Sequence, residues 1–166
     1  MPAAPATVAS PIPFVPAAAG PAVLVVEDSE EDFDTVREAY EEYAARAGGA
    51  AGPLCRAASG DECLELLRGA GGARPVRPAV VLMDLNTPGL DGRDALREMK
   101  ADAHTRAIPV VVHTTSGSPR DLGLCYGSGA NAYHVKPVSY PDHLAMLGDI
   151  FTYWLGRVTR QDPSPA

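Results

Sequence analysis

Carboxylates, a hydroxyl and an amine each stand directly after a short apolar run of this sequence. They are Glu27 with Asp28, Asp84, Thr114 and Lys136. Carboxylates grouped around one lysine can bind a hard divalent cation, and Mg²⁺ suits all-oxygen ligands and keeps phosphate in its coordination shell. These residues can act together only if the fold brings them to one place.

Apolar runs alternate with amphipathic segments along the chain, which predicts strands alternating with helices. The predicted strands are Val23–Val26, the weaker Leu54–Ala57, Val80–Met83, Pro109–His113 and Asn131–Val135. The predicted helices begin at N-cap serines or after an acidic turn, near residues 29, 59, 91, 118 and 139. Five strands alternating with five helices predict an α/β fold, a parallel sheet covered on both faces. The flavodoxin-like, doubly wound order 2-1-3-4-5 is the commonest for this count.

A parallel sheet gathers the carboxyl ends of its strands at one edge, so the polar residues should meet there. Three carboxylates about 4 Å apart repel by roughly 4 kcal/mol per pair at an effective dielectric of 20. The sum, on the order of 10 kcal/mol, is comparable with the stability of a whole domain. Lys136 and a magnesium ion are the natural complement, so the sequence predicts a site that places a phosphoryl group beside a metal.

Composition limits the classes of function. The 166 residues suit one domain, and a net charge of −7 with a pI near 5.0 argues against nucleic-acid binding. Residues 1–21 are rich in proline and alanine, which predicts a disordered tail and excludes a membrane helix. We expect the domain to span 22–158, a second tail to span 159–166, and the protein to be cytoplasmic.

Four motifs together resemble the receiver domain of two-component response regulators. They are Val25–Asp28, Met83–Gly92, Val112–Ser116 and Tyr133–Pro137. The resemblance implies that Asp84 accepts a phosphoryl group from a phosphohistidine on a sensor histidine kinase. It also implies that the protein is not an enzyme in the usual sense, but assists its own phosphorylation and dephosphorylation.

The same resemblance implies a role for each site residue. Glu27 and Asp28 would hold Mg²⁺ with Asp84, Asp28 directly and Glu27 through water, and Asn86 would lend its backbone carbonyl to the metal. Lys136 and the Thr114 hydroxyl would contact the phosphoryl oxygens. Thr114 and Tyr133 would form the switch that reports phosphorylation, and the Lys136–Pro137 bond would be cis.

The aromatic turn Phe151–Gly156, together with Thr114–Ser116 and Asn131–Tyr133, looks similar to the response regulators of bacterial and cyanobacterial phytochromes. That likeness implies a bacteriophytochrome as the kinase. It also implies a homodimer through the face from strand 4 to helix 5, including Ile150, Tyr153 and Trp154. Two apolar stripes support this, because the sheet can cover only one of them. The first is Leu144, Leu147, Phe151 and Trp154, and the second is Met146, Ile150 and Tyr153.

Two other interpretations remain open at this point. One is an interaction module that kept the fold but works without phosphorylation. The other is a phosphatase with an aspartyl nucleophile, although such enzymes need a second aspartate two residues later, where this chain has Asn86. No output domain is expected after residue 158, so readout would depend on a protein partner or the dimer, or the protein would serve as a phosphate relay or sink. His113 and His134 are either structural or a source of pH sensitivity.

Overall fold

The five predicted strands are all present. The structure is a computed structural model that describes residues 21–49 and 51–160, so the tails predicted at 1–21 and 159–166 lie almost entirely outside the described residues. The strands are β1 (Val23–Val26), β2 (Leu54–Ala57), β3 (Val80–Met83), β4 (Val110–Thr114) and β5 (Ala132–Val135). They form one parallel sheet in the order β2-β1-β3-β4-β5, as predicted.

The register of the sheet places the polar residues at the strand ends side by side along its carboxyl edge. Val26 lies opposite Met83, so Glu27 and Asp84 leave the sheet side by side. On the other half of the sheet Thr114 lies opposite Val135, and Lys136 follows directly. A slip of one residue would exchange the side chains that pack on the two helical layers, so the fit of each face to its own layer sets this register.

Helices connect all of the strands, and serines cap four of them. The helices are α1 (Glu30–Arg46), α2 (Gly60–Arg68), α3 (Gly92–Ala101), α4 (Pro119–Gly127) and α5 (Tyr140–Phe151). A 3₁₀ turn, Ala70–Gly72, lies in the loop after α2, and α5 continues as a π-helix, Thr152–Arg157. The side chains of the capping serines accept backbone N–H groups of the first helical turn, which would otherwise lack partners.

Alternate residues of the strands pack on two separate helical layers. Leu24, Val26 and Met83 face α2, α3 and α4, whereas Val25 and Leu82 face α1 and α5. The two layers cover both faces of the sheet, as a parallel sheet requires. No helix within residues 21–49 and 51–160 is both long and apolar enough to cross a bilayer.

Gly92 allows α3 to begin against the strand that carries Asp84. A Cβ atom at this position would lie 2.3 Å from the backbone oxygen of Asp84 and 2.9 Å from the Cα of Leu85. The Gly92 N–H donates to the Leu85 carbonyl at 3.1 Å. The missing side chain therefore lets the first turn of α3 hold the loop after β3 in place.

The prediction that Ile150 lies on an exposed dimer face is wrong. Ile150 is only 3% exposed and packs in the α1–α5 layer together with Leu147 and Phe151. Apart from Tyr153, the two predicted stripes form one wide face that packs on the core, because a helix lying on a sheet buries an arc of 100° or more. Tyr153 is 55% exposed, and Trp154 is half-buried beside it.

Candidate functional site

The ammonium group of Lys136 lies at the centre of the acidic cluster. Its Nζ donates to Glu27 Oε2 at 2.6 Å, to Asp32 Oδ2 at 2.7 Å and to Asp84 Oδ2 at 3.1 Å. A lysine has three N–H donors, so each of them has a carboxylate partner. The structure thus brings together Glu27, Asp84 and Lys136, which the sequence predicted, and adds Asp32, which it did not.

The remaining oxygens of the two buried acids accept backbone N–H groups. Glu27 Oε1 accepts from the N–H of Ser29 at 3.0 Å, and Asp84 Oδ1 accepts from the N–H of Asn86 at 3.2 Å. Each carboxylate is therefore held at both oxygens, and its orientation is set before any ligand binds. Asn86 lies beside Asp84 through its backbone, while its side chain is exposed.

Burial and charge act in opposite directions on the pKa values of this cluster. Burial raises the pKa of Glu27 above its usual range, and contact with Lys136 only partly offsets that effect. Burial alone would lower the pKa of Lys136, but hydrogen bonds to Asp32 and Glu27 outweigh it and keep that pKa above normal. Lys136 is therefore fully charged at neutral pH.

Three carboxylates are placed to share one cation. Glu27, Asp28 and Asp84 each offer an oxygen atom, and these atoms lie within 4.8 Å of one another. Asp32 also binds Lys136, so the cluster contains four carboxylates and one ammonium, and three negative charges remain when all the acids are ionised. An all-oxygen donor set with this excess of charge fits a hard divalent ion such as Mg²⁺. Asp28 is exposed and open to such an ion.

Thr114 and Tyr133, the predicted switch residues, both contact Ser116 and do not contact Asp84. Thr114 is fully buried, and its Oγ1 accepts the N–H of Ser116 at 3.3 Å. The Tyr133 hydroxyl donates to the Ser116 carbonyl at 2.8 Å, and its ring packs against the α2–α4 layer. The Lys136–Pro137 bond, which the resemblance implies to be cis, is trans. Trans is the form that X-Pro bonds favour by about 0.5–1 kcal/mol.

Asp32 and Arg56 are site residues that the sequence did not reveal. Ser29 and Asp32 have the spacing of a capping box, which predicts that Asp32 binds the N–H of Ser29. Glu27 takes that N–H instead, which frees the Asp32 carboxylate for Lys136. Arg56 of β2 donates to the carbonyls of Glu27 and Asp28 at 3.0 and 3.1 Å and so fixes the backbone after β1.

His113 belongs to a buried pair. Its Nε2 lies 2.8 Å from Nε2 of His143 on α5, and both residues are buried. Burial lowers the pKa of each ring, most strongly that of His113. One ring must donate and the other accept, so the contact requires at least one neutral imidazole. His134 is half-buried, and burial lowers its pKa as well.

Comparison with known proteins identifies relatives with the same architecture. Residues 23–147 match the response regulator receiver domain. The probable methanogenesis regulatory protein FilR2 of Methanothrix harundinacea is 37% identical over 145 residues, which are 87% of this chain and 88% of that protein.

Two solved structures resemble this chain closely in fold. One is the phosphorylated cyanobacterial phytochrome response regulator RcpA, with a TM-score of 0.79 and 30% identity over 85% of this chain and 98% of that one. The other is the Mn²⁺-bound form of response regulator Rcp1, with a TM-score of 0.76 and 31% identity over 85% of this chain and 99% of that one. Since the receiver match spans most of the chain and the sheet order agrees, the protein belongs to the response regulator receiver domain family, and its structural neighbours include phytochrome response regulators.

Proposed function

We propose that the protein is a phosphoacceptor that takes a phosphoryl group onto Asp84 from the phosphohistidine of a sensor kinase. An Asp84 carboxylate oxygen attacks the phosphorus, the P–N bond breaks, and the electron pair leaves with the imidazole, which takes up a proton. The observation that carries this proposal is the buried Asp84 carboxylate, held by Lys136 and the Asn86 N–H at the edge of a site with two further acids.

The residues around Asp84 would position the reactants and neutralise charge, which is most of what catalysis of phosphoryl transfer requires. Lys136 already donates to Asp84 and can pass that N–H to a phosphoryl oxygen once Asp84 is esterified. Glu27 and Asp32 hold the other two donors of Lys136, which keeps its ammonium aimed at the reacting group. Thr114, at the end of β4, would donate its hydroxyl to a second oxygen after the loop that follows it adjusts.

Glu27, Asp28 and Asp84 would hold Mg²⁺, with the Asn86 carbonyl as a further ligand, and a bound ion would neutralise charge on the transferring phosphoryl group. The Mn²⁺-bound form of the relative Rcp1 supports a divalent ion in this family. The donor set of this chain supports it independently, because the acids outnumber Lys136.

The two other interpretations have less support. A phosphatase of the aspartyl type needs an acid two residues after the nucleophile, and here that position is Asn86, whose amide can donate a hydrogen bond but cannot act as a general acid at neutral pH. An interaction module that works without phosphorylation has no use for a buried cluster of Glu27, Asp84 and Lys136. Burying such a cluster costs desolvation free energy, because buried charges stabilise a fold only when they are well paired.

We further propose that the kinase is of the phytochrome type and that the protein acts in the cytoplasm. The support for the kinase type is the likeness to the phytochrome response regulator RcpA. Readout through a homodimer on the face from strand 4 to helix 5 is part of the proposal. In this chain that face would use the exposed Tyr153, whose ring stands edge-on to Trp154 with centroids 5.1 Å apart.

Transfer of radiolabel from a panel of autophosphorylated histidine kinases tests the proposal. We expect label to pass to the wild-type protein fastest from a phytochrome-type kinase in the presence of Mg²⁺. Equal rates from all of the kinases would contradict the phytochrome pairing alone. If no kinase and no small phosphodonor labelled the protein, the proposed function itself would be wrong.

A further inference from the structure

Ser116 is a hub in the loop after β4, because each of its polar groups has a partner. Its N–H donates to Thr114 Oγ1 at 3.3 Å, and its carbonyl accepts from the Tyr133 hydroxyl at 2.8 Å. Its own hydroxyl donates to Asp121 Oδ2 on α4 at 2.6 Å. The orientation of this one residue therefore decides what both Thr114 and Tyr133 bind.

An arginine from a neighbouring helix holds Asp121 in turn. Arg93 of α3 binds Asp121 through two parallel contacts, Nε to Oδ1 and Nη2 to Oδ2, both at 2.8 Å. Hydrogen bonds from Arg93 and then Ser116 lower the pKa of Asp121 to about 2. The side chains of Arg93 and Asp121 are 21% and 16% exposed, so solvent screens this pair less than a surface ion pair. Two-pronged contacts of this kind fix direction as well as distance.

Arg93 also contacts the loop that connects Asp84 to α3. Arg93 Nη1 donates to both carboxylate oxygens of Asp91, at 2.9 and 3.2 Å, and Asp91 is the N-cap of α3. The next residue, Gly92, lies against the backbone of Asp84. A continuous path of contacts thus runs from the strand that carries the phosphoacceptor, through Arg93 and Asp121, to Ser116.

We propose that Arg93 is a positioning residue, which acts through Asp121 to hold Ser116 as the docking point for the Tyr133 hydroxyl. The clamp formed by Arg93, Asp121 and Ser116 stabilises the orientation in which Tyr133 packs on the α2–α4 layer, here called inward. Loss of the clamp releases the loop after β4, and Tyr133 turns outward towards solvent. The proposal rests on the proposed function for its biological meaning, because it sets how strongly the switch favours one state before Asp84 is phosphorylated.

The test uses the full-length protein labelled with 3-fluorotyrosine, without any phosphodonor, so that it does not depend on phosphorylation. The ¹⁹F signal of Tyr133 is assigned by its loss in Tyr133→Phe. We expect Arg93→Gln to lower the ratio of inward to outward Tyr133 by about tenfold, the scale set by loss of one charge-assisted hydrogen bond. Ser116→Ala should do the same, and the double variant should add nothing, because Arg93 acts through Ser116.

Arg97→Gln is the matched control, since Arg97 lies one turn along the same helix and, among the residues that the structure describes, forms its ion pair with the exposed Asp94. It should leave the Tyr133 signal unchanged. Arg93→Lys, which keeps the charge but not the two-pronged geometry, should fall between wild type and Arg93→Gln. An unchanged Tyr133 signal in folded Arg93→Lys and Ser116→Ala would overturn the proposal, as would full additivity in the double variant. If the Tyr133 signal changed in these variants as expected but the wild type took up no phosphoryl group, only the proposed function would be overturned.

Discussion

Asp32 lies closer to Lys136 than the predicted phosphoacceptor does. The distance from Lys136 Nζ is 2.7 Å to Asp32 Oδ2 but 3.1 Å to Asp84 Oδ2. Asp32 projects from the first turn of α1 and is partly exposed. It therefore adds a fourth negative charge to a site that already has three, and it does so at the open edge of the cluster.

The variant Asp32→Asn should weaken Mg²⁺ binding. Loss of one unit charge near the cation in a partly exposed site changes the free energy of Mg²⁺ binding by about 1 kcal/mol. The Kd for Mg²⁺ should therefore rise about threefold to tenfold. Calorimetric titration with MgCl₂ at low salt measures this. Asp34→Asn on the same helix, where the exposed Asp34 pairs with Arg37, is the control and should leave the Kd unchanged. Equal affinities for wild type and Asp32→Asn would mean that Asp32 does not contribute to the field at the cation.

The variant Lys136→Gln should be unstable and unusually responsive to Mg²⁺. Removal of one partner from a buried ion pair leaves an uncompensated charge, which costs about 3–5 kcal/mol of unfolding free energy. Mg²⁺ should restore more stability to Lys136→Gln than to wild type, because it replaces the lost positive charge. Denaturant unfolding with and without Mg²⁺ tests this.

Lys100→Gln is the comparison for Lys136→Gln. Nζ of Lys100 donates to the carbonyls of Arg106 and Ile108 and to the side-chain oxygen of Asn131, which are neutral acceptors. Its loss should not make stability depend on Mg²⁺. If the two variants responded to Mg²⁺ alike, the neutralising role of Lys136 would be wrong.

The buried pair His113–His143 should make the protein less stable in mild acid. Burial holds both pKa values below the ordinary 6.5, so the folded state binds fewer protons than the unfolded state. The stabilising contribution is therefore complete above about pH 6.5, and it declines as pH falls below that value, by up to about 1.4 kcal/mol per pH unit for each histidine.

Unfolding free energies measured between pH 7 and pH 5 test this dependence. The double variant His113→Leu, His143→Leu should show a shallower decline than wild type, while the exposed His104→Gln should decline as wild type does. Parallel curves for the wild type and the double variant would show that the pair does not govern the acid response.

If the protein dimerises through the face from strand 4 to helix 5, its mass in solution should be greater for the wild type than for the double variant Tyr153→Ala, Trp154→Ala. Both aromatics lie on the π-helix that extends α5, and neither is fully buried in one copy of the chain. Light scattering with and without Mg²⁺ and a phosphodonor gives the mass. A wild type that stays monomeric under both conditions would remove this face as a dimer interface.

The strand ends could be predicted from the sequence because they follow from local residue patterns. Short runs rich in β-branched residues and followed by turn residues, such as Val80–Met83, favour buried strands, and the residue after each run then lies at the carboxyl edge of a parallel sheet. The sequence therefore predicted that Glu27, Asp84 and Lys136 lie close together, and in the structure Lys136 contacts both acids.

The contacts between loops and helices could not be predicted in the same way. The Asp32 carboxylate had two possible partners, and which one it binds depends on Glu27 reaching the N–H of Ser29. His143 lies on the same buried face as Leu147, but its pairing with His113 depends on where α5 crosses the sheet. The prediction that Ile150 is exposed failed for a related reason. The width of the buried face of α5 is set by its packing on the sheet and not by the two stripes in the sequence.

Phosphoryl incorporation at Asp84 is the central claim, and intact-protein mass spectrometry tests it most directly. Wild type is incubated with Mg²⁺ and a small phosphodonor beside Asp84→Asn and the control Asp149→Asn, which alters an exposed acid on α5. We predict the mass of one added phosphoryl group on wild type and Asp149→Asn, its loss when Mg²⁺ is chelated, and none on Asp84→Asn. Labelling of Asp84→Asn at the wild-type rate would contradict the assignment of Asp84.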